Sequence, residues 1–272
     1  DLLKELQEKN CAITIHKPFY EFLKANTSFN STINVFSTHE ELKQNTKHLI
    51  SLGGDGTLLE ALAYIRNSSI SILGINTGRL GFLATVSKDE ISDRINDLLA
   101  GKFYLDKRAL LRLETKEKLF GDTNFALNEI TITKQDSTMI TINAYIDGEF
   151  LNSYWADGLI ISTPTGSTAY SLSCGGPLIV PDAKSFIITP IAPHNLNVRP
   201  IIIRDDKVIT LKIEGRSPSY LVTVDSRSGT ITRDTELIIR KESFDVNLIR
   251  FEQTNFFNTI RAKLNWGMDQ RN

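Results

Sequence analysis

Apolar positions in the first hundred residues alternate between two spacings. Leu2, Leu3 and Leu6 recur at helical intervals, and Cys11–Ile15 then reads as a strand. Pro18 opens a second helical stretch through Phe19, Phe22 and Leu23, since a first turn tolerates proline. Ile33–Phe36 and His48–Leu52 predict strands, the second stopping at Gly53-Gly54. Leu58–Tyr64 predicts a helix, Ile70–Ile75 a strand, and Ile91, Ile95, Leu98 and Leu99 the stripe of another helix. Strands alternating with helices imply a parallel sheet with helices on its faces. Such a unit usually opens on a strand. This chain opens on a helix, and on Asp1 rather than methionine, so residues before Asp1 are expected to be missing.

After about Phe103 the period changes. Ile130–Thr133, Ile140–Ile146, Leu159–Ser162, Val208–Ile213, Tyr220–Val224 and Leu237–Arg240 each read as a short strand. Asp147-Gly148 between two alternating segments signals a tight hairpin, whose central residues both need positive φ. Phe256, Phe257, Ile260 and Leu264 then share one face of a helix expected to pack back on the body. The expected architecture is an α/β N-terminal domain (1–103), a β-rich C-terminal domain (104–252) and a closing helix (253–272).

Composition removes several function classes. With 31 basic and 32 acidic side chains and a net charge of −1, the chain lacks the broad cationic surface of a nucleic-acid binder. No apolar run approaches the roughly 18 residues of a membrane span. Two cysteines without a CxxC or Cys/His cluster argue against a disulfide framework or structural zinc, and fit a reducing, cytoplasmic setting.

The densest chemistry lies at Leu49–Leu59, a buried-type strand, a turn with three glycines and a helix start. Glycines let a backbone approach its ligand closely, and free N–H groups at a helix start attract anions. Neither a Walker loop nor a GxGxxG fingerprint fits the spacing. The distinguishing residue is Asp55, an aspartate inside a phosphate cradle. It either works on the substrate or caps the next helix. The following strand ends at Asn76-Thr77-Gly78-Arg79-Leu80-Gly81-Phe82, where Asn76, Arg79 and Phe82 are candidate ligand contacts, because strand ends line the crevice of such sheets. In the β-rich part, Asn128-Glu129 interrupts an apolar stretch. Asp157–Ser173 is a strand, a turn and a short helix carrying seven Ser/Thr side chains, a density that suits a polar ligand surface better than turn chemistry alone.

Together Gly53–Thr57, Asn76–Leu83, Asn128-Glu129, Asp157–Pro177 and Pro193–Pro200 resemble the NAD kinase family. The glycine turn alone also resembles lipid kinases and phosphofructokinases, so a lipid or sugar kinase and a non-catalytic dinucleotide sensor are the competing readings. The resemblance implies an α/β domain and a β-rich domain with an active site in the inter-domain cleft. It implies transfer of the terminal phosphate of ATP, or of polyphosphate, to the 2′-hydroxyl of the adenosine ribose of NAD. A divalent metal cation, Mg²⁺ by expectation, and a homodimer or homotetramer belong to the same picture. Carried over, Asp55 accepts or orients the proton with Gly56 beside it, and Asn128 and Glu129 bind ribose. Asp157 meets the nicotinamide end, Thr168, Ala169, Tyr170, Ser171 and Ser173 surround base and ribose, and Ala192 makes a further contact. Three positions depart from the pattern. Asp225 is followed by Ser226 and Arg227 where the family commonly has Asp-Gly-Gln, which leaves Arg227 only a possible contact. Glu60 and Trp155 stand where basic residues are common.

Overall fold

The structure, a computed structural model, describes residues 2–26, 33–42, 46–78, 81–251 and 256–267. The chain divides into two compact units, residues 1–106 with 247–253, and residues 107–246 with 254–272. In order, the elements are α1 (Leu2–Glu8), β1 (Thr14–His16), α2 (Lys17–Asn26), β2 (Asn34–Phe36), β3 (His48–Leu52), α3 (Asp55–Ile65), β4 (Ser71–Ile75), α4 (Ile91–Leu99) and β5 (Tyr104–Arg108). They continue with β6 (Leu111–Glu114), β7 (Phe125–Ala126), β8 (Glu129–Lys134), β9 (Ile140–Ile146), β10 (Glu149–Ala156), β11 (Gly158–Ser162), α5 (Tyr170–Ser173) and β12 (Ser185–Ile191). Last come β13 (Ile201–Arg204), β14 (Ile209–Glu214), β15 (Tyr220–Val224), β16 (Arg227–Ile231), β17 (Leu237–Lys241), β18 (Val246–Arg250) and α6 (Phe256–Leu264).

In the first unit β3 and β4 pair in parallel. Every residue of β4 is buried, as a strand covered on both faces requires. Leu6, Leu73, Ile75, Ile95 and Leu98 share one core, and Leu58, Leu62 and Ile65 of α3 are buried as well. The strand expected over Cys11–Ile15 forms later, at Thr14–His16. The end of α1 consumes the intervening residues, with Asn10 left-handed (φ 55°) and the Cys11 N–H returning to Leu6 O at 3.0 Å. The four-stranded sheet runs β3-β4-β18-β5, so β18 returns from far along the chain to complete it. Periodicity groups that segment with the β-rich residues 104–252; its partner is a parallel neighbour that a five-residue pattern cannot name.

In the second unit two six-stranded sheets, β10-β9-β14-β17-β6-β7 and β13-β12-β11-β8-β15-β16, bury a common core. Ile140, Ile142, Leu211 and Leu237 of the first pack with Ile130, Ile132, Leu159, Ile161 and Phe186 of the second. The two-residue period then puts Glu129 and Thr131 of β8, and Ile160 and Ser162 of β11, on the opposite face of the second sheet. The hairpin expected at Asp147-Gly148 forms with φ values of 52° and 86° between paired Ile146 and Glu149. Among the described residues no helix is long and apolar enough to cross a membrane.

Candidate active site

The glycine turn joins β3 to α3. Gly53 is left-handed-side backbone at φ 157°, and a Cβ there would stand 2.3 Å from Thr57 Oγ1. Helix α3 begins at Asp55 with Gly54 as N-cap and no side chain capping it. Asp55 therefore does not perform the capping role that its position suggests. Its Oδ2 accepts the Phe82 N–H at 2.7 Å, and its Oδ1 accepts the Leu83 and Ala84 N–H groups, each at 3.0 Å. The approach is so close that a Cβ at Gly81 would lie 1.8 Å from Oδ1. From the other edge, Arg250 Nη1 donates to Leu83 O and Thr85 Oγ1, both at 2.8 Å. An aspartate and an arginine almost two hundred positions apart hold one loop by its N–H and C=O groups.

A carboxylate offers about four acceptor positions. Three are taken, and the one left is on Oδ2. Among the described residues, a Cβ at Gly54 or Gly56 on either side of Asp55 would meet nothing within 4 Å. The fold does not ask for glycine at either position. Glycine inside a helix costs about 0.5–1 kcal/mol relative to alanine, so close backbone approach by a ligand is the remaining physical reason for Gly56. Asn76 is buried, and its Oδ1 accepts the Gly78 N–H at 2.8 Å, shaping the turn. Phe82 joins the loop through its N–H. Arg79 lies outside the described residues.

The second cluster repeats the device. The Leu127, Asn128 and Glu129 N–H groups donate to the Asp225 carboxylate at 2.8, 2.9 and 3.1 Å. On the carbonyl edge Thr163 Oγ1 donates to Leu127 O at 2.5 Å and the Thr163 N–H to Asn128 O at 2.9 Å. Gly166 packs on the same segment, where a Cβ would stand 2.2 Å from Asn128 O. Asp225 itself is left-handed (φ 51°) in the β15–β16 turn. Arg227, a possible ligand contact by resemblance, turns its guanidinium onto backbone instead. It donates to Val224 O at 3.3 Å, to Phe125 O at 2.5 Å and to Thr123 O.

Held this way, Glu129 has a buried Oε2 with no hydrogen-bond partner. Burial first, and the neighbouring Asp225 charge second, push its carboxyl up to about 8, against a backbone bond from Tyr170. Burial raises Asp225 as well, while three amides and the Arg227 charge favour its anion. Of the pair, Glu129 is the one that carries the proton at neutral pH. Tyr170 is 43% exposed, and its phenol is raised by partial burial first, then by Cys174, which it also hydrogen-bonds, and by the Asp157 and Glu129 charges. Asp157 pairs with Lys134 Nζ at 2.5 Å, and its N–H donates to Ile191 O at 2.9 Å. The next residue, Ala192, is exposed and left-handed at φ 43°. For a residue with a Cβ this costs about 1–2 kcal/mol, the kind of strain that gathers at working sites.

The hydroxyl-rich segment departs from expectation. Ser167 Oγ donates to Pro164 O at 2.7 Å, Thr168 Oγ1 donates to Thr165 O at 3.2 Å, and Ser171 Oγ bonds Thr189 Oγ1 at 2.8 Å. With Thr163 engaged as above, most of the hydroxyl density shapes the turn. Tyr170 and Ser173 are the members of the predicted set that stand exposed, and Ala169 is half-buried between them and Thr168. Among the described residues no group of three or more His, Cys, Asp or Glu side chains could hold a metal ion. Pattern reading missed Asp225 and Arg250 as clamps. Neither carries a local signal, since each acts on a segment remote in sequence.

Two family models match the chain, the ATP-NAD kinase N-terminal domain over residues 2–103 and the ATP-NAD kinase C-terminal domain over residues 127–251. The chain belongs to the NAD kinase family. Among curated members, the NAD kinase of Cytophaga hutchinsonii is 49% identical over 100% of this chain and 93% of its own length. That of Flavobacterium psychrophilum is 50% identical over 98% of this chain and 92% of its own. Among solved structures, an NAD kinase from Archaeoglobus fulgidus in complex with ATP aligns with a TM-score of 0.73 and 26% identity, covering 92% of this chain and 98% of that one. The fold is also that of yeast NADH kinase complexed with NADH, at a TM-score of 0.89 and 24% identity over 98% of this chain and 83% of that one.

Proposed function

We propose that the chain transfers the terminal phosphate of ATP to the 2′-hydroxyl of the adenosine ribose of NAD, with Asp55 at the acceptor oxygen. As a member of the NAD kinase family it phosphorylates NAD to NADP. The bond between the terminal phosphorus and its bridging oxygen breaks, a bond from that phosphorus to O2′ forms, ADP leaves, and the hydroxyl proton goes to the open position on Asp55 Oδ2. Phosphoryl transfer through a loose transition state depends on positioning and charge more than on a strong base. An aspartate fixed by three amides supplies that positioning. Gly54 and Gly56 leave room for phosphate at the uncapped start of α3.

The observation that carries the dinucleotide assignment is the unpartnered Glu129 Oε2, a buried acceptor that a ribose hydroxyl satisfies. Asn128, Asp157, Thr168, Ala169, Tyr170, Ser171, Ser173 and Ala192 frame the same place, with Asp157 toward the nicotinamide. The described residues do not form a metal site of their own. In this reading the divalent cation, Mg²⁺, accompanies ATP. The same reading puts the enzyme in the cytoplasm as a homodimer or homotetramer. Exposed Leu196 and Ile202, beside and on edge strand β13, supply apolar surface for self-association. The test is NADP formation by the purified protein from NAD and Mg-ATP, with NADH and polyphosphate as comparison arms. No phosphorylated dinucleotide in any arm would reject the reading.

A further inference from the structure

We propose that Asp225 is a positioning residue for dinucleotide binding, its carboxylate fixing the Asn128-Glu129 backbone while its charge sets how readily Glu129 ionises. The inference rests on the reading above, in which ionised Glu129 accepts ribose hydroxyls. Its geometry is independent of that reading. Three consecutive N–H groups, from Leu127, Asn128 and Glu129, converge on Asp225 within 3.1 Å. Thr163 closes the carbonyl edge of the same residues. Arg227 locks the turn that carries Asp225, and stacks its guanidinium over the Phe125 ring at 5.4 Å. Both of its oxygens are engaged by the backbone they hold, Oδ2 by Leu127 and Oδ1 by Asn128 and Glu129. It acts through Glu129.

The groups facing Glu129 come from two elements besides its own strand. Asp225, backed by Arg227, lies at the β15–β16 turn; Tyr170 and Cys174 come from α5 and the residue after it. Across the sheet its register neighbour is Ser162, fully buried, whose Oγ also lacks a partner. Two unpartnered polar atoms on one sheet face mark a place built for a ligand rather than a sealed core. Of the titratable neighbours, Asp225 is the one whose charge opposes ionisation of Glu129 most strongly.

Asp225→Asn is the decisive variant. Asparagine accepts the left-handed φ of 51° as readily as aspartate, so the turn survives and the charge goes. The readout is kcat/KM for NAD against pH at saturating Mg-ATP, a profile that reports ionisation in the free enzyme. Wild type should show a rising limb centred near 8, the value to which burial and Asp225 bring Glu129. In the variant the limb should move to lower pH. Its high-pH plateau should fall about tenfold, mainly through KM, because a displaced binding group loses affinity. Glu129→Gln should abolish the limb. A folded Asp225→Asn enzyme with wild-type plateau and midpoint would overturn the proposal. So would a wild-type profile without an ionisation in that window, whether or not the variant folds. Absence of NAD turnover by wild type would instead reject the underlying activity.

Discussion

The two units use one device for two ends. Asp55 and Asp225 each gather three successive backbone N–H groups, from residues 82–84 and 127–129. Their surroundings differ. Asp55 is flanked by Gly54 and Gly56, where among the described residues nothing lies within 4 Å of an added Cβ. Asp225 has the same three amides but stands between Val224 and Ser226 instead of glycines, with the Arg227 charge favouring its anion. A carboxylate held by amides is thus a rigid fixture in either case. Whether it meets substrate depends on what is left out beside it.

Removing the fixture at Asp55 should have the largest effect. Asp55→Ala should lower kcat by about 10²–10⁴, and near-normal turnover in a folded variant would break the distinction between the two aspartates. Gly81→Ala should come next, since its Cβ would overlap Asp55 Oδ1 and push the carboxylate from its amides. A loss of about 10² in kcat is expected for displacement of an oriented group, alongside a lower melting temperature. Gly56→Ala sharpens the comparison from the other side. Among the described residues nothing opposes the new methyl group, so the variant should be more stable by about 0.5–1 kcal/mol. It should nonetheless lose about tenfold in kcat/KM where phosphate needs that space. A variant both more stable and fully active would remove the cradle.

The smallest effect concerns the pH dependence of stability. Glu129 titrates near 8 in the folded protein against an ordinary 4.5, so the native state binds more protons between those values. Its contribution to stability is whole below about 4.5 and disappears as pH climbs through 8. Glu129→Gln should flatten this part of the stability curve measured by denaturant unfolding between pH 5 and 9. An unchanged slope would show that Glu129 ionises normally.

Much of this was readable from the chain. The strand His48–Leu52, the Gly-Gly-Asp-Gly turn, the Asp147-Gly148 hairpin and the stripe of α4 are local signals, and each forms where its residues point. Local pattern also identified Asp55 and Glu129 as unusual. It did not show that several hydroxyls of residues 163–171 bond within the protein, because counting Ser and Thr cannot separate those from hydroxyls that face outward. It marked Asp225 only as a departure from the family pattern and did not reveal that Asp225 and Arg250 clamp backbone about a hundred or more residues away. Such links depend on strand order and register, which no periodicity encodes.

One consequence concerns biosynthesis. Strand β18 lies between β4 and β5, although the ribosome makes it about 170 residues after β4. The loop that Arg250 grips therefore stays half-fastened through most of translation. A chain released before β18, even with its glycine turn and strands β6–β17 made, would lack an interior strand of the sheet that carries that turn. The sheet that carries the glycine turn is therefore complete only when residues 246–250 have been added.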